Sequence, residues 1–78
     1  MVIEDSIFDS NSNYQGGALS VECNKDCKLT IKNSSFINNT ANLKGGAIYI
    51  TPNINYTFDQ LWFSNNSALY DDDISSYL

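Results

Sequence analysis

The chain has 78 residues, 4 basic and 9 acidic, with a formal net charge of −5 and no histidine. That balance excludes a binder of nucleic-acid backbones, and the missing imidazole removes His-activated nucleophiles, His acid–base chemistry and the common catalytic zinc sites. Charged residues make up 17%, against about 25% in ordinary globular domains; 11 Asn, 10 Ser and 4 Thr take their place, and ten aromatics argue against disorder.

The opening Met1-Val2-Ile3-Glu4-Asp5 has no basic segment leading into a long apolar run, so no signal peptide is read there. No later stretch reaches the about 18 apolar residues of a membrane span. Met1 and Ile3 alternate ahead of Phe8, which is followed by Asn11 and then by Gly16-Gly17-Ala18-Leu19. Leu19-Ser20-Val21 predicts a short strand with one buried face. Cys23 and Cys27 come next, with three residues between them. Zinc would need further Cys or His ligands, and a redox C-x-x-C has two intervening residues. A local disulfide is expected, with free thiols in a reducing compartment as the alternative. Its closed loop is short, which sets its contribution at the low end of the usual range.

Leu29-Thr30-Ile31-Lys32 predicts the next strand and leads to Phe36, Asn39 and Gly45-Gly46-Ala47-Ile48. Ile48-Tyr49-Ile50 repeats the alternation of Leu19-Ser20-Val21. After Pro52, Tyr56 and Phe58 alternate ahead of Phe63 and Asn66, and Asp71-Asp72-Asp73-Ile74 stands where the first two copies have their glycine pair. Phe-to-Phe spacings of 28 and 27 make three copies of about 27 residues. Length differences fall at two points: the Val21–Leu29 and Ile50–Tyr56 junctions, and one extra residue between Phe36 and Gly45. Such confinement marks variable turns on a constant scaffold.

No segment carries a helical period. Short strands broken by Asn, Ser and Gly turns cannot bury an apolar face alone, but stacked copies can. The expected fold is therefore all-β, a parallel β-solenoid with coil 1 at 1–28, coil 2 at 29–55 and coil 3 at 56–78, read as a fragment of a longer solenoid. Stacking at about 4.8 Å predicts columns of equivalent residues. They are Phe8/Phe36/Phe63, Ile3/Ile31/Phe58, Leu19/Ile48/Ile74, Val21/Ile50 and an asparagine ladder of Asn11, Asn39 and Asn66. An outward column reads Glu4, Lys32, Asp59, acid beside base beside acid. Gly16-Gly17 and Gly45-Gly46 suit a corner needing positive φ or close backbone approach. A leucine-rich repeat has a similar period, but its L-x-x-L-x-L-x-x-N pattern is not met.

The pairing of F-x-x-N (Phe8/Asn11, Phe36/Asn39, Phe63/Asn66) with G-G-A-L or G-G-A-I (Gly16 to Leu19, Gly45 to Ile48) resembles the repeat of the chlamydial polymorphic outer-membrane proteins. The resemblance implies a right-handed parallel β-helix in an extracellular or cell-surface region of a membrane-attached parent, adhesive rather than catalytic. The third copy departs from it at Asp71-Asp72-Asp73.

Candidate sites are few. Asp71, Asp72 and Asp73 could offer oxygen to Ca²⁺, but three consecutive carboxylates do not converge on one ion, and a solvated turn is expected. Glu4 and Asp5 are expected on opposite faces of a strand. Lys25, Lys28, Lys32 and Lys44 are scattered. Acceptor sequons for N-glycosylation occur at Asn33, Asn38, Asn55 and Asn65, against roughly two from composition alone. Tyr14, Tyr49, Trp62, Tyr70 and Tyr77 are candidate surface aromatics, with Trp62 and Tyr49 foremost.

The function expected is thus a non-catalytic binding module of a surface-exposed or secreted protein, with no cofactor. Its partners would be further β-helix coils of the same parent chain and a host protein or carbohydrate. Neither nucleic acid nor direct membrane insertion is expected, and the exposed end coils should self-associate. The rival readings are a polysaccharide-lyase-like enzyme fragment and a remnant of a decayed reading frame.

Overall fold

The structure, a computed structural model, describes residues 1–23, 27–52 and 54–75. It is all-β, and every strand pairing among these residues is parallel. The strands are β1 (Val2–Glu4), β2 (Ile7–Asp9), β3 (Ser12–Gln15), β4 (Leu19–Val21), β5 (Cys27–Ile37), β6 (Thr40–Lys44), β7 (Ile48–Ile50), β8 (Ile54–Ser64) and β9 (Ile74–Ser75). They form three sheets. In the first, β5 lies between β8 on one side and β1 with β2 on the other; the second joins β3 to β6; the third runs β4-β7-β9. The first two passes visit the three sheets in the same order, and the third adds strands to the first and third sheets and meets the second at the isolated bridges Thr40–Ser67 and Lys44–Tyr70.

The register agrees with the columns read from the sequence. Ile3 pairs with Ile31 and Ile31 with Phe58; Phe8 pairs with Phe36 and Phe36 with Phe63. Leu19, Ile48 and Ile74 align, as do Val21 and Ile50. The Phe rings stack at centroid separations of 4.7 and 5.4 Å with interplanar angles of 11° and 17°. Near-parallel stacking follows from the sheet itself, which sets equivalent side chains about 4.8 Å apart. The extra residue of the second copy lies between Ala41 and Lys44, where the register of β3 on β6 shifts.

Two expectations on strands need correction. β5 and β8 are each 11 residues long, where only short strands were anticipated. Each carries the chain through a left-handed residue, Asn33 (φ 49°) or Gln60 (φ 54°), while in the first pass the equivalent Asp5 (φ 52°) separates β1 from β2. Asp5 therefore sits at a bend outside a strand. It does not face away from Glu4 by strand alternation, and both are exposed.

All positive-φ residues among those described fall into three columns. They are Asp5/Asn33/Gln60, Ser10/Asn38/Asn65 and Gly16/Gly45/Asp71. Asn, Asp and Gly reach this region at least cost because of their short polar side chains or missing Cβ. The Asn-rich composition is thus explained in part by backbone geometry.

Burial follows the pass and not the strand. Leu29, Ile31, Phe36, Ala41, Ala47, Ile48, Tyr49 and Ile50 are buried, and all belong to the second pass; Ile54, at the start of β8, is the one further buried apolar residue described. Ile3, Phe8, Leu19 and Val21 before it, and Phe58, Phe63 and Ile74 after it, are half-buried against that core. A middle layer is covered on both sides and an end layer on one. Phe36→Ala should accordingly cost about 3–5 kcal/mol, and Phe8→Ala about half that, since part of its ring already meets water. Urea unfolding midpoints of the two variants check the order.

Candidate functional site

The most ordered constellation is the corner that carries the asparagines. The Asn11 backbone N–H and its Nδ2 both donate to Asn39 Oδ1, at 2.9 and 3.1 Å. Asn39 repeats this towards Asn66 Oδ1 at the same two distances. Asn39 Nδ2 also donates to the Phe8 carbonyl at 3.1 Å, and Asn66 Nδ2 to the Phe36 carbonyl at 2.9 Å. The Oδ1 of Asn39 and Asn66 therefore accepts from the preceding pass, the Nδ2 of each ties back to a carbonyl of that pass, and Asn39 in turn donates to the next pass. Asn39 is fully buried and all its groups are used, which is the condition for a polar group in a core. This ladder was legible in the sequence.

A second polar column was not anticipated. Ser34 Oγ accepts from the Ser6 backbone N–H at 3.2 Å and donates to the Lys32 carbonyl at 2.9 Å, while Ser6 Oγ donates to the Glu4 carbonyl. The signal was the serine two positions before Phe8 and Phe36, lost at Leu61.

Cys23 and Cys27 form a disulfide with Cα atoms 6.5 Å apart. Thr51 Oγ1 anchors this junction to the second pass by accepting from the Cys23 backbone N–H at 3.1 Å. Both half-cystines pack against the edge of the apolar core. The bridge is structural in its surroundings.

Asp71 to Asp73 lie in an exposed turn, and two of them also accept hydrogen bonds there. All three residues are exposed, yet Asp72 Oδ1 accepts from the Ala68 backbone N–H and Asp73 Oδ1 from Asn66 Nδ2, each at 3.1 Å. Sequence alternation could not reveal this, because it depends on which donors the preceding turn leaves at that end. Among the described residues no group of three His, Cys, Asp or Glu side chains is placed to hold a metal ion.

The sequon asparagines Asn33, Asn38, Asn55 and Asn65 are all exposed. Three of them, Asn33, Asn38 and Asn65, occupy the left-handed corner columns, so turn geometry accounts for their residue type. Asn33 Nδ2 donates to Asp5 Oδ1 at 2.7 Å.

Of the surface aromatics, Trp62, Tyr14 and Tyr70 are exposed and Tyr77 lies outside the described residues. Tyr49 is a correction: it is only 3% exposed. Period-2 alternation assumes that one face of a strand is solvated, whereas all of Ile48–Ile50 is buried. Trp62 and Ile7 project from the same outward column of the first sheet, with Ser35 between them. Beside it, Glu4, Lys32 and Asp59 align in register and are exposed. Lys28 is exposed too, Lys44 is partly buried, and Lys25 lies outside the described residues. No enclosed cavity is found among the described residues. What this arrangement offers is a broad, mixed polar and aromatic face on a hydrogen-bonded frame.

Two outcomes follow. Asn39→Ala removes an acceptor of two bonds and a donor of two at a buried site, and should cost about 3 kcal/mol or more, well above Asn11→Ala at the exposed end of the ladder; thermal unfolding of both variants measures the gap. Replacing Cys23 and Cys27 by Ser should cost about 2 kcal/mol at most, given the small loop, with the far-UV spectrum unchanged.

Residues 33–51 match the family model described as the Chlamydia polymorphic membrane protein repeat. That stretch carries Phe36, Asn39 and Gly45 to Ile48, the second copy of both motifs. No curated protein and no solved structure matches the chain. By this segment, the chain is similar to the polymorphic membrane protein repeat.

Proposed function

We propose that the chain is a non-catalytic display module. It is a three-coil right-handed parallel β-helix, coil 1 at 1–28, coil 2 at 29–55 and coil 3 at 56–78, within a larger protein exposed at the cell surface or secreted. The observation that carries this reading is the recurring register. Three parallel sheets are each built by pairing residues 26 to 29 positions apart, and left-handed corners recur in three columns. The overall dimensions of 30 × 27 × 14 Å fit a short stack, since three backbone layers at about 4.8 Å span about 10 Å. The repeat match over 33–51 supports a place in a membrane-associated surface protein.

On this reading the buried second coil and the asparagine ladder hold the frame, and the outward side of the first sheet does the binding. Trp62 and Ile7 supply apolar contact, and Glu4, Lys32 and Asp59 supply charge of both signs. A protein or carbohydrate at the host surface is the partner proposed, together with further coils of the same parent. Aromatic side chains suit either ligand, because they give large contact area at low entropic cost. The enzyme reading has no observation on its side among the described residues.

An antibody raised against the 78-residue chain should label intact producing cells, and brief protease treatment of those cells should remove the label. Labelling that appears only after permeabilisation, with no secreted antigen in the medium, overturns the surface reading.

A further inference from the structure

The third pass ends differently from the way the second pass meets it. Among the donors that cross from the second pass to the third, Asn39 Nδ2 reaches Asn66 Oδ1, and the Ala41 backbone N–H reaches the Ser67 carbonyl at 2.9 Å. Because Thr40 aligns with Ser67, the counterparts one pass later are Asn66 Nδ2 and the Ala68 N–H. Both are received by carboxylates of their own pass. Asp73 Oδ1 takes the side-chain amide and Asp72 Oδ1 takes the backbone amide. For these two donors, the acceptor that a fourth layer would supply is replaced from within the third.

The glycine corner adds a steric argument. A Cβ on Gly17 would overlap the Gly46 carbonyl oxygen and lie 2.7 and 2.8 Å from the Thr40 carbonyl oxygen and nitrogen. A Cβ on Gly46 would overlap the Asp72 carbonyl oxygen and lie 2.7 Å from both the nitrogen and the carbonyl oxygen of Ser67. At this position the Cβ direction points into the next pass, so only hydrogen fits wherever a next pass exists. Asp72 holds the same position in the third pass. The Gly17 N–H donates to the Gly45 carbonyl and the Gly46 N–H to the Asp71 carbonyl; likewise the Ala18 and Leu19 amides donate to Ala47, and the Ala47 and Ile48 amides to Asp73. Asp71 keeps the corner itself, with a φ of 56° against 69° and 65° at Gly16 and Gly45. The turn is conserved in shape while its outer side gains a Cβ and two engaged carboxylates.

We propose that Asp72 and Asp73 terminate the stack: the third coil is its last layer, capped on its outer side, and growth is possible only beneath the first coil. This rests on the solenoid reading above. It concerns layers in this register and not the length of the chain. A layer docking beneath coil 1 must bring glycine at this corner. A second copy of the chain would bring Asp72 there, so head-to-tail stacking of copies is blocked even though both end coils carry half-buried apolar side chains. The self-association expected of exposed ends is narrowed accordingly. Terminal repeats of solenoids need a polar outer face for the same reason, and open-ended growth is what a heterologous contact otherwise permits.

The test is the mass of the 78-residue chain in solution, by sedimentation over a range of concentrations. The wild type should not form chains. The variant D71G/D72G/D73A, which restores the Gly-Gly-Ala of the first two copies, should form head-to-tail oligomers whose mean mass rises with concentration. Wild-type filaments, or a folded triple variant that keeps the wild-type mass, overturn the proposal. Should the triple variant not fold, Asp72→Ala decides. It retains the Cβ and should stay unpolymerised, while its Ala68 amide exchanges with deuterium about tenfold faster for want of the charge-assisted bond; polymerisation of this variant, or unchanged exchange, overturns the proposal. Gly46→Ala separates this failure from that of the parent reading. It puts a Cβ between the second and third layers and should abolish the folded state, and a wild-type unfolding midpoint would sink the stacked-coil reading itself.

Discussion

Everything in this molecule depends on one lateral constraint: each strand bonds to a strand 26 to 29 residues away. Once that spacing is fixed, like must sit beside like. Phe meets Phe at 4.7 and 5.4 Å, asparagine amide meets asparagine amide, and each left-handed turn lies against another. A change in repeat length can be absorbed only where the strands are interrupted. The observed changes lie at the β3–β6 irregularity and at the junctions after Val21 and Ile50. Elsewhere a one-residue slip would turn every inward side chain outward.

The same constraint divides labour between the layers. The second pass holds nearly all of the fully buried apolar side chains, so stability is concentrated there, while the first and third passes are each covered on one side only. Hydrogen bonds along the corners complement that core. They hold turns that the apolar core does not reach, and they keep the outward face of the first sheet in a fixed shape. A frame built this way tolerates change in its outward side chains, a property suited to recognition surfaces.

Much of this architecture could be read from residue order alone. The Phe, Asn, Ile and Leu columns emerged from self-alignment because stacking forces equivalence, and each lies in the predicted register. The failures were of a different kind. Tyr49 looked outward because alternation identifies two faces but not whether both are covered. Asp5 looked like a strand residue because nothing local distinguishes a bend held by its neighbours from an extended chain. The Ser6–Ser34 column was hidden by its loss at Leu61, and the acceptor roles of Asp72 and Asp73 by their dependence on donors four and seven positions earlier. Contacts between layers repeat and so leave a periodic trace; contacts made once, at an end, leave none. The proposed binding face stands lower still, since outward side chains carry no packing rule to read.

The central place of β5 bears on how the chain acquires its shape during synthesis. β5 is the shared partner of β1, β2 and β8. Among the described residues Val2–Asp9 pairs only with Cys27–Ile37, and no tight hairpin offers a local nucleus. The first strand pair must close a loop of nearly thirty residues before any ladder bond repays it, which makes commitment late and slow. During that interval the first-pass strand edges stay open to other nascent chains. Such open edges are where one unfinished chain can pair with another before the core closes.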